Sequence, residues 1–387
     1  MTTTERYIVI ALIAMPFTLL RVGPIGLGEL IFIIFFLTEL GNQRFNIYSN
    51  NFVFSRFWIA FLSVSLIGFL FNIIFLDQRT GTYLGMLFDF SSYVVILFAC
   101  YALENMRKRT DCDFYKIIRG VFFGSSIVFI LLYLISFLTN NLLGLPLKYY
   151  GFFVPLADNL HQISLFLIPL PFLGILIFKQ ERGFFLRSLI VFFIGMIFIM
   201  GYSTGSFKAM IGFVLGILVY IFLSWVSTVN KKNRFLAVGT IFFIGFLIIL
   251  LNIGFISSLF TALLIEEDLE NDRLRLYGRA IDIMKTSPIF GLGPGGHIWN
   301  NSKFYDSHQT FFTVMLQGGI FGLFIMGKFM YQLIAKLIKN PTLFAALFTI
   351  IVYFLGGDIM RRLPTWIVLV LIFYYNDQKT TQEQKLT

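Results

Sequence analysis

The sequence predicts an all-α, polytopic membrane protein with about twelve spanning helices and one large loop on the non-cytoplasmic side. Three observations lead there. Of 387 residues, 58% are hydrophobic and only 13% charged, where a soluble domain carries about 25% charged residues. Mean hydropathy is +0.83. The apolar runs are continuous, near the roughly 20 residues a helix needs to cross the hydrocarbon core. Only helices and closed barrels satisfy their own backbone there, and alternation, the mark of a barrel strand, is missing. Soluble enzymes, nucleic-acid binders and disulfide scaffolds are excluded as descriptions of the whole chain.

The twelve segments are 7–20, 25–40, 57–76, 83–103, 117–139, 161–178, 186–201, 208–228, 235–255, 308–327, 342–356 and 364–375. The first two are short and carry Pro16 and Pro24, so a kinked pair or a shallow hairpin is expected. Residues 1–255 hold helices one to nine, 256–307 the large loop, 308–376 helices ten to twelve, and 377–387 a polar tail. Glu5 and Arg6 precede the first apolar stretch, but no small-residue cleavage site follows, so this is read as an uncleaved helix. Cys100 and Cys112 fall near the cytoplasmic end of the fourth helix, where no disulfide framework is expected.

Charge orients the chain. With both termini cytoplasmic, nineteen of the thirty Lys and Arg residues fall inside, giving net charges of +11 inside and −1 outside. Insertion by the positive-inside rule requires that asymmetry. The +10 net charge therefore speaks for anionic lipid contact, not for a nucleic-acid partner.

Loops as long as 256–307 usually have a task. This one opens on Glu266, Glu267, Asp268, Glu270 and Asp272, either a hard-cation site or a solvated helix start. A helix is expected over 272–285. Its three- and four-residue spacings put Arg275, Arg279 and Asp282 on a water-facing stripe. Arg273, Tyr277, Ala280 and Met284 form an inward one. An inward arginine needs an anion: either a structural carboxylate or a bound oxyanion, which guanidinium geometry suits. The segment Gly291–Gly296 matches no nucleotide-binding pattern and reads as a tight turn.

His308 opens the tenth helix, with Asp306 or Ser307 as its cap. The positive end of a helix favours neutral imidazole, a form able to accept a proton. The plainer reading is an interfacial anchor. Lys208 follows Ser203-Thr-Gly-Ser206 at the outside end of the eighth helix, against the charge bias. It either snorkels to headgroups or contacts phosphate beside exposed backbone amides. His161, near Asp158 and Asn159, is interfacial or a sugar contact. Asp89 should face the bundle interior on cost alone.

The run Arg273-Leu-Arg-Leu-Tyr277-Gly-Arg-Ala280, then Pro288-Ile-Phe-Gly291-Leu-Gly293, then His308-Gln-Thr-Phe-Phe with Gly318-Gly319-Ile320-Phe321-Gly322, resembles the O-antigen polymerase and O-antigen ligase superfamily. Ser203–Lys208 is similar to that family's outside Ser-Arg motif. Three residues depart from its pattern: Gln309 for asparagine, Tyr277 for tryptophan and Lys208 for arginine. The resemblance implies a GT-C-like membrane glycosyltransferase working at the periplasmic face of the bacterial inner membrane. Its donor would be a glycan on undecaprenyl pyrophosphate. Catalysis would fall to His308, as general base, and Arg273. Arg273, Lys208, Arg275 and Arg279 would bind the pyrophosphate, with no metal and no other cofactor. Tyr277, His161 and His297 are the candidate substrate contacts. Partners would include a chain-length regulator and a flippase.

Polymerase and ligase share a leaving group and differ in acceptor. Abundant Phe, Ile, Lys, Asn and Tyr imply AT-rich codons, as in sugar-antigen gene clusters, which tilts the family reading to the polymerase. The rival from another class is a secondary transporter or flippase, with Pro169, Pro171 and the short first helices as broken helices around a midplane site. A structural assembly subunit is a third reading.

Overall fold

The computed structural model describes residues 1–22, 25–41, 52–76, 83–107, 112–229, 270–295, 297–300, 303–305, 307 and 309–386. The expected ninth helix, 235–255, and the acidic residues Glu266–Asp268 lie outside them.

Among the described residues the chain is helical. α1 (Thr3–Ala14) and α2 (Leu27–Gly41) pack side by side. They are joined through the two-stranded β1–β2 hairpin (Arg21–Val22, Ile25–Gly26). At 1.5 Å per residue they are about 18 and 22 Å long, short of the roughly 30 Å hydrocarbon core. The expected hairpin of short helices is what forms.

Long helices follow: α3 (Val53–Phe71, continued by a π-turn over Asn72–Leu76), α4 (Tyr83–Met106), α5 (Phe114–Leu138), α8 (Phe184–Ser203) and α9 (Phe207–Thr228). The predicted helix 161–178 is two helices, α6 (Leu160–Leu167) and α7 (Leu170–Gln180). Pro169 and Pro171 supply no backbone N–H at the junction, which breaks the ladder. After the large loop come α10 (Glu270–Met284), α11 (Thr310–Leu337), α12 (Pro341–Gly356) and α13 (Leu363–Leu386). Seven spans among the described residues are long and apolar enough to cross a membrane: Val53–Phe75, Met86–Met106, Phe114–Leu138, Leu160–Gln180, Phe184–Ser203, Phe207–Thr228 and Thr310–Leu337.

Local chemistry sets the helix starts. Thr2 and Glu5 form a reciprocal capping box on α1. Asp113, Asn159, Ser206 and Asn340 each accept a first-turn N–H of α5, α6, α9 and α12. α3 has no capping side chain of its own. Buried Glu104 of α4 replaces it, accepting the Phe54 and Ser55 N–H groups at 2.9 Å and the Tyr374 hydroxyl. A carboxylate at a helix N-terminus meets both the orphan donors and the dipole.

Leu160–Gln180 is 78% buried and central, whereas Phe184–Ser203 and Phe207–Thr228, at 28% and 22%, are peripheral. The aromatic core between α3, α4, α11 and α13 is built on Phe57, Trp58, Tyr93, Phe329 and Trp366. Cys100 and Cys112 are buried free thiols.

The polar contacts sort onto two ends. Segments expected inside meet each other: Arg119 with Glu181 at 3.0 Å, Arg107 and Lys336 with Asp377, Lys179 with Thr342, and Glu5 with the Asp113 N–H. Segments expected outside meet at the opposite, loop-bearing end: Thr18 with Asp158, Tyr353 with the His161 carbonyl, Thr310 with the Gly357 carbonyl, and Asp89 with Arg361. These contacts pair segments that the charge reading assigns to the same side. The candidate site belongs to the loop end.

Candidate functional site

The site is organised by a break in α11. Gly319 has φ 59° and ψ −152°, a combination almost confined to glycine. It lies nine residues into the helix, about 14 Å from its start. The break frees backbone groups on both sides, and groups freed at that depth need partners. The segment 288–293 supplies them. Leu292 N donates to Leu316 O at 2.7 Å and Gly293 N to Gln317 O at 3.1 Å. Ile320 N donates to Pro288 O at 2.9 Å and Phe321 N to Ile289 O at 3.4 Å. A Cβ at Gly291 would stand 2.6 Å from Gln317 C, so the backbones approach as only glycine permits. The glycine turn is therefore a plug seated in a broken helix.

Asp89 fixes that plug from α4. It is 2% exposed. Its Oδ2 accepts Gly295 N at 3.1 Å and Gln317 Nε2 at 3.3 Å, and its Oδ1 meets Arg361 Nη1 at 2.8 Å. Tyr93 donates to Gln317 Oε1 at 2.7 Å. A buried carboxylate persists when counter-charge and donors fill its lone pairs, as here. The interior-facing expectation for Asp89 holds.

α10 lies over the start of α11. Leu276 and Ala280 are buried with Ile298 and Leu316, and Tyr277 stacks on Phe312 at 5.0 Å. The inward face is centred on Leu276, Ala280 and Ile283; Tyr277, Met284 and Arg279 are half-buried at its margins, and Asp282 is exposed. The predicted inward stripe is therefore rotated toward Leu276. Leu276 is buried against Ile298 and Leu316, while the Tyr277 ring lies on Phe312 at the edge of that contact. Arg273 and Arg275 fall in this helix, their side chains outside the described residues.

The 355–362 turn between α12 and α13 ties the remaining pieces together. Thr310 donates from N and Oγ1 to Gly357 O, at 3.1 and 2.7 Å, and accepts Ile359 N at 3.1 Å. Gln309 Nε2 donates to Leu355 O at 3.1 Å. Half-buried Lys208, in the first turn of α9, runs its stem along Gly356: a Cβ there would stand 3.2 Å from Lys208 Cε. His308 itself is outside the described residues. The helix begins at Thr310 with Gln309 at its N-cap, so its start is two residues later than expected. Ser307 does not cap it by the expected N–H contact; its hydroxyl donates to Gln309 O and meets Thr313 Oγ1 at 3.0 Å.

The structure thus joins Lys208 and the residues flanking His308 through one turn, and brings Tyr277 onto the same helix start. His161 lies one layer away: the Tyr353 hydroxyl donates to its carbonyl at 3.0 Å, and its own N–H caps onto Asn159. His297 is buried with Nε2 2.7 Å from Gly293 O, holding the plug. Among the described residues no group of three or more His, Cys, Asp or Glu side chains is arranged to hold a metal ion. Sequence reasoning did not single out Gln317, Asp358, Arg361 or Arg362. The signal for the last two was visible: consecutive arginines in an outside turn, against the charge bias.

Fold and site together define a multi-pass helical membrane protein with a loop-and-helix cap seated into one end of its bundle. Residues 189–327 match the family model described as O-antigen ligase, and this match supports the resemblance to the O-antigen polymerase and ligase superfamily. It covers a little over a third of the sequence, from α8 into α11, and includes Lys208, the plug and the Gly319 break. No curated protein and no solved structure matches the chain.

Proposed function

We propose that the protein is a metal-independent, inverting glycosyltransferase of the bacterial inner membrane that polymerises a surface polysaccharide. The donor is a glycan on undecaprenyl pyrophosphate, and the acceptor is a sugar hydroxyl of another lipid-linked repeat. One observation carries the reading furthest: within the family match, Lys208, Tyr277 and the residues on both sides of His308 converge on the 355–362 turn and the start of α11.

In this mechanism His308 removes the proton from the acceptor hydroxyl as its oxygen attacks the anomeric carbon. The bond to the pyrophosphate oxygen breaks on the opposite face, inverting the centre. Negative charge grows on the leaving undecaprenyl pyrophosphate, and fixed cations stabilise it. Arg273, three and seven residues before inward Leu276 and Ala280 in the same helix, is assigned this role with Lys208; Arg275 and Arg279 assist. Tyr277, His161 and His297 contact or frame the sugar. The site faces the periplasm and both termini are cytoplasmic. A chain-length regulator and a flippase act alongside.

The family description favours a second reading, the ligase, in which lipid A–core is the acceptor. Deleting the gene and resolving the surface polysaccharide on a gel separates the two. Core bearing a single repeat identifies the polymerase, bare core with accumulated lipid-linked polymer the ligase, and an unchanged ladder rejects both. In the complemented strain His308→Ala and Arg273→Ala each abolish chain growth while the protein still inserts. Wild-type chain lengths in either variant reject the assigned chemistry.

A further inference from the structure

Arg361 and Arg362 are neighbours in one turn with different surroundings. Arg361 is committed to Asp89 at 2.8 Å and approaches Asp358 at 3.9 Å. The Arg362 guanidinium has neither a carboxylate at ion-pair distance nor a hydrogen-bond acceptor among the described residues. Its backbone is firmly held. Arg362 N donates to Ile359 O, and Arg362 O accepts Thr365 N at 3.0 Å as α13 begins. The Trp366 indole N–H also donates to Ile359 O.

This cation is half-buried. Burial is the largest influence on its titration and holds its pKa below the usual arginine range. Asp358 and Asp158 act on it favourably and Arg361 unfavourably, all from beyond pairing distance. An arginine kept partly from water without a partner is costly, and an anion offsets that cost. The same short turn lies along Lys208 at Gly356 and clamps Thr310, two residues past His308, at Gly357 and Ile359.

We propose that Arg362 is a further pyrophosphate-binding residue of the site, gripping the diphosphate of a polyprenyl-linked donor across the turn from Lys208. This rests on the transferase reading for its ligand. Two roles follow for the pair. Arg361, neutralised by Asp89, fixes the turn. Arg362 keeps its planar fork of donors for two phosphate oxygens.

The test uses the full-length protein in neutral detergent, titrated with farnesyl pyrophosphate as a short-chain probe. Arg362→Ala is expected to weaken binding about tenfold to a hundredfold, the usual loss for charge-assisted hydrogen bonds. Arg362→Lys should recover part of it, and farnesol should bind wild type and Arg362→Ala alike. Arg21→Ala, at an exposed pair with Asp158 on the same end, is expected to leave binding unchanged. Unchanged gel-filtration profiles establish that the variants fold. Wild-type affinity in Arg362→Ala overturns the proposal, as does a wild-type protein that ignores farnesyl pyrophosphate. Equal competition by phosphatidylglycerol also overturns it, because the site would then be a headgroup site. An unchanged polysaccharide ladder on gene deletion rejects the transferase reading separately, whatever the titration gives.

Discussion

Gly319→Ala is expected to unseat the loop. The residue combines φ 59° with ψ −152°, and holding a non-glycine residue in that region costs about 1–3 kcal/mol. The new Cβ would also stand 2.3 Å from Ile289 O, 2.5 Å from Ile289 C and 2.7 Å from Gly291 N. All three are backbone atoms of the plug, so no side chain can rotate away. Overpacking of this kind adds about 1–3 kcal/mol, for a total of about 2–6 kcal/mol. Undocking the segment meets the same cost by leaving Leu316 O, Gln317 O and two N–H groups unpaired. Gly327→Ala is the control within α11: nothing lies within 4 Å of its Cβ. Alanine in an open helical position gains about 0.5–1 kcal/mol over glycine. The assay heats each detergent-solubilised variant and follows the folded peak by gel filtration, alongside a polysaccharide gel. Gly319→Ala should melt early and lose chain growth, and Gly327→Ala should match or exceed wild type. Identical melting and identical sugar ladders for the two variants would refute the plug-in-break account.

Lys208→Arg should retain more polysaccharide synthesis than Lys208→Ala, since both cations meet a phosphate; equal activity in the two removes Lys208 from the site. Asp89→Ala strips counter-charge from Arg361 and acceptors from Gly295 and Gln317. Breaking such a buried pair costs about 3–5 kcal/mol, so this variant should melt well below wild type, and a wild-type melting curve would show the pair to be dispensable.

Much of the fold is legible in the chain. Hydropathy places the spans because the bilayer penalises unpaired backbone over a fixed thickness. The sorting of cations assigns segments to sides, and the contacts of Arg119, Asp113 and Asp158 each pair segments assigned to the same one. Helical spacing finds α10 as an amphipathic helix, yet misplaces its inner face by one residue. Periodicity reports which residues share a stripe, while the neighbour decides which stripe is covered.

What the sequence by itself determined is therefore what one-dimensional physics controls: helical class, the seven apolar spans among the described residues, an inward Asp89, and the order of motif residues around His308. Only the tertiary structure decided that Pro288–Gly293 repairs a broken helix, that Asp89 selects Arg361 and leaves Arg362 without a paired carboxylate among the described residues, and that Lys208 reaches the start of α11 through Gly356. The reason is sequence distance. Asp89 and Arg361 are 272 residues apart, and no local periodicity encodes which of two adjacent guanidinium groups a remote carboxylate will meet. That choice is made by the packing of α4 against α13 and α11 against α12, after every helix has already been specified.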